Sequence, residues 1–194
     1  MSKLLKIGIY APFIPIVLAI MILHACKSQG PAPLTISDTS HISLIGNNLG
    51  SRMINYDNFE TELYLRYPEY KLHIRNMCDG GETPGFRPHA GRNSPWAFPG
   101  AEKFHPELAS QVQTIEGPSE GRFETPDQWL TRHKTDVIIA FFGYNESFEG
   151  KEGLDSNKAE LDAFIKWTLK QKYNDASAPQ LAIVSPIAFE KPFR

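Results

Sequence analysis

Asp136-Val137-Ile138-Ile139-Ala140-Phe141-Phe142 runs directly into Gly143-Tyr144-Asn145-Glu146. An almost unbroken apolar run that stops at a Gly/Asn turn is the pattern of a strand covered on both faces, as in a parallel sheet. Gln180-Leu181-Ala182-Ile183-Val184, ending at Ser185-Pro186, repeats the pattern downstream. Upstream, His41-Ile42-Ser43-Leu44-Ile45 ends at Gly46-Asn47-Asn48. Lys71-Leu72-His73-Ile74-Arg75 ends at Asn76-Met77-Cys78-Asp79-Gly80-Gly81. These four runs predict four strands.

Helical patterns separate them. Met53, Phe59, Leu63 and Tyr67 share a stripe that predicts one helix stopping before Pro68. Thr125-Pro126-Asp127 reads as an N-cap, a proline in the first turn and an acid beside it, opening a short helix through Trp129 and Leu130. Ser156 is placed to cap a longer helix carrying Leu161, Phe164, Ile165, Thr168 and Leu169 at helical spacing and ending near Tyr173-Asn174-Asp175. Strand–helix–strand alternation predicts a doubly wound α/β sheet. Residues 84–124 break the rhythm with Pro, Gly and aromatics, and read as a long insertion.

The chain's 194 residues suit one domain with a sizeable core. Net charge is −2 with no basic run, so nothing points to nucleic acid as a partner. The histidines and cysteines lack the close paired spacing of a zinc site, and no metal or cofactor is expected. At the N-terminus Lys3 and Lys6 precede an apolar stretch from Ile7 to Leu23, then polar Lys27-Ser28-Gln29. That is the layout of a signal peptide; a single membrane anchor is the alternative. Leu23-His24-Ala25-Cys26 resembles the lipobox of bacterial lipoproteins, in which the cysteine is acylated and becomes the mature N-terminus. The organisation implied is a signal peptide over 1–25, a Pro/Ser/Thr-rich tether over 26–40 and a domain over 41–194. The protein would then be exported and lipid-anchored in a bacterial cell envelope, with Cys78 its only thiol.

Ligands of an open parallel sheet bind at the carboxyl ends of its strands, where all the special turns fall. Taken singly, each turn has a local explanation: glycine allows a tight bend and asparagine bonds to nearby backbone. Together they resemble the blocks of the SGNH (GDSL-like) hydrolases. The first block, Gly-Asp-Ser-Leu, corresponds to Gly46-Asn47-Asn48-Leu49. The second, Asn-x-x-x-x-Gly-Asp-Thr, corresponds to Asn76 through Gly81-Glu82-Thr83. The third, Gly-x-Asn-Asp, corresponds to Gly143-Tyr144-Asn145-Glu146. The stretch from Trp129 through Phe148 also looks like SGNH-like domains of large exported bacterial proteins.

The resemblance covers roughly residues 41–190. It implies a three-layer α/β/α, flavodoxin-like parallel sheet and acyl-transfer chemistry on ester bonds, acyl or acetyl, of a small molecule or carbohydrate. It places the Gly81 N–H and the Asn145 amide as oxyanion donors and Asn48 at the nucleophile position. Two departures accompany it. Asn48 stands where the family has serine, and an amide is no nucleophile. The family's closing Asp-x-x-His is missing from the C-terminal part of these residues. Two functions fit these residues: an ester hydrolase, and a non-catalytic SGNH-like binding module or fragment.

Other residues have weaker readings. Ser51 and Ser43 are poor substitutes for the missing serine. His89, His105 and His133 are possible bases, or surface or hydrogen-bonded residues. Asp79, Glu82 and Glu146 are possible rim ligands, or loop acids and helix caps. Cys78 reads as a buried structural thiol. Arg87 through Trp96 is either a lid or an irregular packed loop.

Overall fold

The computed structural model describes residues 32–87, 98–106 and 125–187. Met1–Pro33 and Leu34–Arg194 form separate units, and every strand and helix below belongs to the second. Residues 1–25, Cys26 and the tether as far as residue 31 lie outside the described residues. So do His89, Trp96 and most of the insertion.

The strands are β1 (His41–Gly46), β2 (His73–Asn76), β3 (Val137–Phe141) and β4 (Gln180–Ile183). They form one parallel sheet in the order β2-β1-β3-β4. His41 pairs with His73, Ile42 with Val137, and Val137 with Gln180. All four lie where the apolar runs predict them. The chain order reverses between β1 and β3, which makes their carboxyl ends the switch point where such sheets bind ligands.

Alternation along β1 and β3 feeds two apolar clusters. Ile42, Leu44, Val137 and Phe141 pack with Phe59, Leu63 and Met53. Ile45, Ile138, Ala140 and Phe142 pack with Leu130, Phe164 and Tyr173. The central strands therefore bury both faces, the reason their sequences are continuously apolar. At ~25 cal/mol per Å² of apolar surface removed from water, these side chains are the main source of stability.

The helical segment after β1 differs from the single helix its stripe predicts. It divides into α1 (Asn48–Arg52), a 3-10 turn (Met53–Asn55) and α2 (Asn58–Arg66). Tyr56 is extended at the break, within an Asn55-Tyr56-Asp57-Asn58 run whose short polar side chains compete with helix for the backbone. α3 (Pro126–Arg132) has the expected cap in full. Thr125 Oγ accepts from Gln128 N at 3.1 Å and Gln128 Oε1 accepts from Thr125 N at 2.9 Å.

α4 (Leu154–Thr168) corrects both expected ends of the last helix. It begins after Gly153, so Ser156 sits inside it, and it stops before Tyr173. Tyr173 instead turns inward and donates its hydroxyl to Asp127 at 2.6 Å, which joins the segment after α4 to α3. The end of the expected tether is also tied to the domain. Thr35 N donates to Gln180 Oε1 at 2.7 Å, and Gln180 Nε2 donates to Thr35 O at 2.8 Å.

Candidate functional site

The turns after β1, β2 and β3 meet at one end of the sheet. Their backbones extend the ladder beyond the strands. Met77 N donates to Leu44 O at 2.8 Å, Asp79 N to Gly46 O at 2.9 Å, and Asn47 N to Phe141 O at 2.9 Å. The first block is thus held between the other two. Gly46 is required where it crosses β3. Its φ is +114°, and an added Cβ would overlap the Phe141 carbonyl.

Glu82 joins all three blocks. Its Oε2 accepts from Gly46 N at 3.1 Å, and its main-chain oxygen accepts from Asn145 Nδ2 at 2.9 Å. Its carboxyl is buried, and burial pushes its pKa up to about 8. The nearby Arg87 guanidinium and the Gly46 N–H pull the other way, and Asp79 adds to the rise. At neutral pH Glu82 is therefore mostly protonated. This corrects the rim-ligand reading of Glu82: it is an internal tie between loops.

The expected site residues occupy the same rim. Asn48 is exposed at the first position of α1. Its Oδ1 faces Gly80, 3.0 Å from where a Cβ on Gly80 would lie. Gly81 is exposed with φ +89°. Asn145 is half-buried, and one of its two amide hydrogens is directed to Glu82 O, which fixes the side chain while leaving a second donor. Asn76, the first residue of the second block, is occupied internally. It donates to Gly50 O at 2.8 Å and accepts from Cys78 N at 3.0 Å.

Other candidates are placed elsewhere. Ser51 lies within α1. Ser43 is fully buried in β1, and its hydroxyl meets Thr135 Oγ1 at 2.8 Å and His133 Nδ1 at 3.1 Å. A Ser–His contact of this kind suggests a nucleophile and its base, but no substrate reaches a buried serine. His133 precedes β3, near the amino ends of the strands. It lies beside His41, which itself stacks on His73 at 4.3 Å. Burial, reinforced by His41, His73 and Arg75, lowers the His133 pKa to about 4.

His105 Nε2 meets Glu160 Oε1 at 2.9 Å and Thr83 Oγ1 at 3.2 Å. The same carboxylate oxygen accepts from Thr83 Oγ1 at 2.7 Å and Gly85 N at 2.6 Å. Glu160 is 1% exposed. This cluster fastens both described parts of the insertion to α4.

Glu146 is also buried rather than a rim acid. It accepts from Gly143 N at 2.8 Å, and burial raises its pKa. Cys78 is buried against Gly50; burial first, then Glu82, pushes its thiol pKa far up. Asn47 was not singled out by its sequence context. It is 1% exposed, and its side-chain nitrogen has no hydrogen-bond partner.

Among the described residues no three His, Cys, Asp or Glu side chains are grouped to hold a metal ion. No helix among them is long and apolar enough to cross a membrane. No family model, curated protein or solved structure matched the chain.

Proposed function

We propose that the domain is an SGNH-like α/β/α module that binds an acyl or acetyl ester, carried by a small molecule or carbohydrate, and does not hydrolyse it. The observation that carries this reading is the tie through Glu82. It holds Asn145 and the turn bearing Gly81 on the rim where Asn48 begins α1. On this rim the Gly81 N–H and the second Asn145 amide hydrogen are the donors available to an ester oxygen, and the third residue, Asn48, is an amide. Asn48 can donate a hydrogen bond to a bound ester oxygen but cannot form an acyl intermediate. His105 and His133 are engaged with Glu160 and Ser43.

Ester hydrolysis at the same rim is the second reading, favoured by the meeting of three turns that together resemble an acyl-transfer site. Titration with a 6-O-acetylated glucoside and its unacetylated parent separates the two readings. Binding without hydrolysis predicts a preference for the acetylated sugar and no deacetylation above the buffer rate. Asn145→Ala should weaken that binding about threefold to tenfold, the loss of one hydrogen bond. Deacetylation well above the buffer rate would move the function to the hydrolase reading. Equal affinity for both sugars without deacetylation would refute both.

We also propose that Cys26 carries lipid and holds the domain on a bacterial envelope membrane. Lipid chains contribute ~0.8 kcal/mol per buried CH₂, enough when several are present for stable attachment. Labelled fatty acid should enter the protein expressed in a bacterial host, and Cys26→Ala should abolish incorporation. Persistent labelling of the variant would refute this assignment.

A further inference from the structure

A cavity of about 190 Å³ opens beside the rim, at the carboxyl ends of β1, β3 and β4. Leu49, Phe141, Phe142, Val184 and Pro186 make most of its wall, with Arg52 at the exposed edge. Asn48 and Tyr144 also line it, whereas Gly81 and Asn145 do not. Gly143, with φ +107°, lets the chain pass against Pro186; a Cβ there would stand 2.9 Å from Pro186 Cδ. This approach brings the segment after β4 over the end of β3.

Asn47 also lines this cavity. It is the buried side chain whose nitrogen is unpartnered. A buried amide donor without an acceptor costs about 1–3 kcal/mol. The terminal torsion of asparagine is soft, so the nitrogen can turn toward the cavity without leaving its rotamer. Most of the surrounding side chains are apolar, and neither Asn48 nor Tyr144, the polar side chains that could accept, is bonded to this nitrogen.

We propose that this cavity is a binding site for a compact apolar group bearing one carbonyl oxygen, the carbonyl accepting from Asn47 Nδ2. An aryl or branched alkyl ketone or acyl group fits that description: its carbon skeleton replaces water against Phe141, Phe142 and Val184, and its oxygen satisfies the unpaired Asn47 nitrogen. A ligand of the same shape without the oxygen gains the apolar contacts only. The site rests on the cavity and Asn47 alone, and does not depend on ester binding by Gly81 and Asn145.

Acetophenone and ethylbenzene are the probes, since they differ chiefly by a carbonyl in place of a methylene. Binding of each to the purified protein is measured by ligand-observed saturation-transfer NMR. Acetophenone should bind about fivefold to tenfold more tightly, the value of one buried neutral hydrogen bond. Asn47→Leu should remove that ratio while ethylbenzene still binds. Asn47→Asp, which keeps the shape and presents an acceptor, should also remove it and serves if the leucine variant does not fold. Leu49→Trp, which fills the cavity, should weaken both probes. Equal affinity of the two probes in the native protein would overturn the proposal. So would a carbonyl preference that survives both Asn47 substitutions, or binding undiminished by Leu49→Trp. Failure of the acetylated sugar to bind would leave these outcomes unchanged.

Discussion

Replacing Glu82 by glutamine should flatten the dependence of stability on pH between about 6.5 and 8. Glu82 is an acid whose pKa rises from 4.5 in the unfolded chain to about 8 in the fold. The folded state therefore holds a proton that the unfolded state has released, and stability falls as pH rises through that interval. The slope is at most about 1.4 kcal/mol per pH unit. Over one and a half units this bounds the loss at about 2 kcal/mol, and relaxation around the carboxylate brings it to about 1–2 kcal/mol. For a domain of this size that is about 2–8 °C in Tm.

His133 acts in the opposite sense and in another window. Its pKa falls from 6.5 to about 4, so its contribution is lost as pH drops from 6.5 toward 4. Working above pH 6.5 keeps the two apart. Glu146, whose pKa is also raised, keeps its contribution in both proteins. The substituted glutamine would retain an oxygen for Gly46 N–H, so the variant tests the proton rather than the tie. The assay is urea unfolding at pH 6.5, 7.25 and 8 for both proteins. The native protein should lose stability across the series, and Glu82→Gln should lose clearly less. Equal slopes would refute the argument that Glu82 is folded around its proton.

Gly46→Ala should cost about 3–5 kcal/mol in urea unfolding, through the positive φ and the overlap with Phe141. Gly100→Ala, with φ +87° but open space around it, should cost only about 1 kcal/mol. Thr125→Ala removes one half of the α3 capping box and should lower stability by about 1 kcal/mol, measured as a Tm decrease of about 2–4 °C. Mass-resolved labelling with a thiol reagent should leave Cys78 unmodified in the native protein and modify it fully in urea, because the thiol is buried and its thiolate is disfavoured. Rapid labelling without denaturant would contradict that.

Much of the fold was readable because it follows from local pattern. A strand covered on both faces must be apolar along its length, and Val137–Phe141 is. A helix opening with Thr125-Pro126 satisfies its first N–H groups within four residues, so the capping box needs no distant partner. The helix ends were less readable. The stripe from Met53 to Tyr67 records which face is buried but not the break at Tyr56. Tyr173 has the sequence setting of a helix terminus, and its actual role depends on Asp127, far away in sequence.

The candidate site divides the same way. The Gly/Asn turns announce themselves at the strand ends by residue type alone, and parallel pairing is enough to gather Asn48, Gly81 and Asn145 on one rim. The acids could not be sorted from sequence. Glu82, Glu146 and Glu160 have the same side chain, and only packing decides that all three are buried and bonded to backbone N–H groups or neighbouring side chains.

By itself the sequence determined the strands, their parallel sense and the end of the sheet where the Gly/Asn turns meet, since these depend on periodicity and turn residues close along the chain. Tertiary structure alone decided that Glu82 joins the three turns, that His105 pairs with Glu160, and that Asn47 stands unpaired beside a cavity. Each of these depends on groups separated by tens of residues, and burial and hydrogen bonding are set by what the fold brings alongside them.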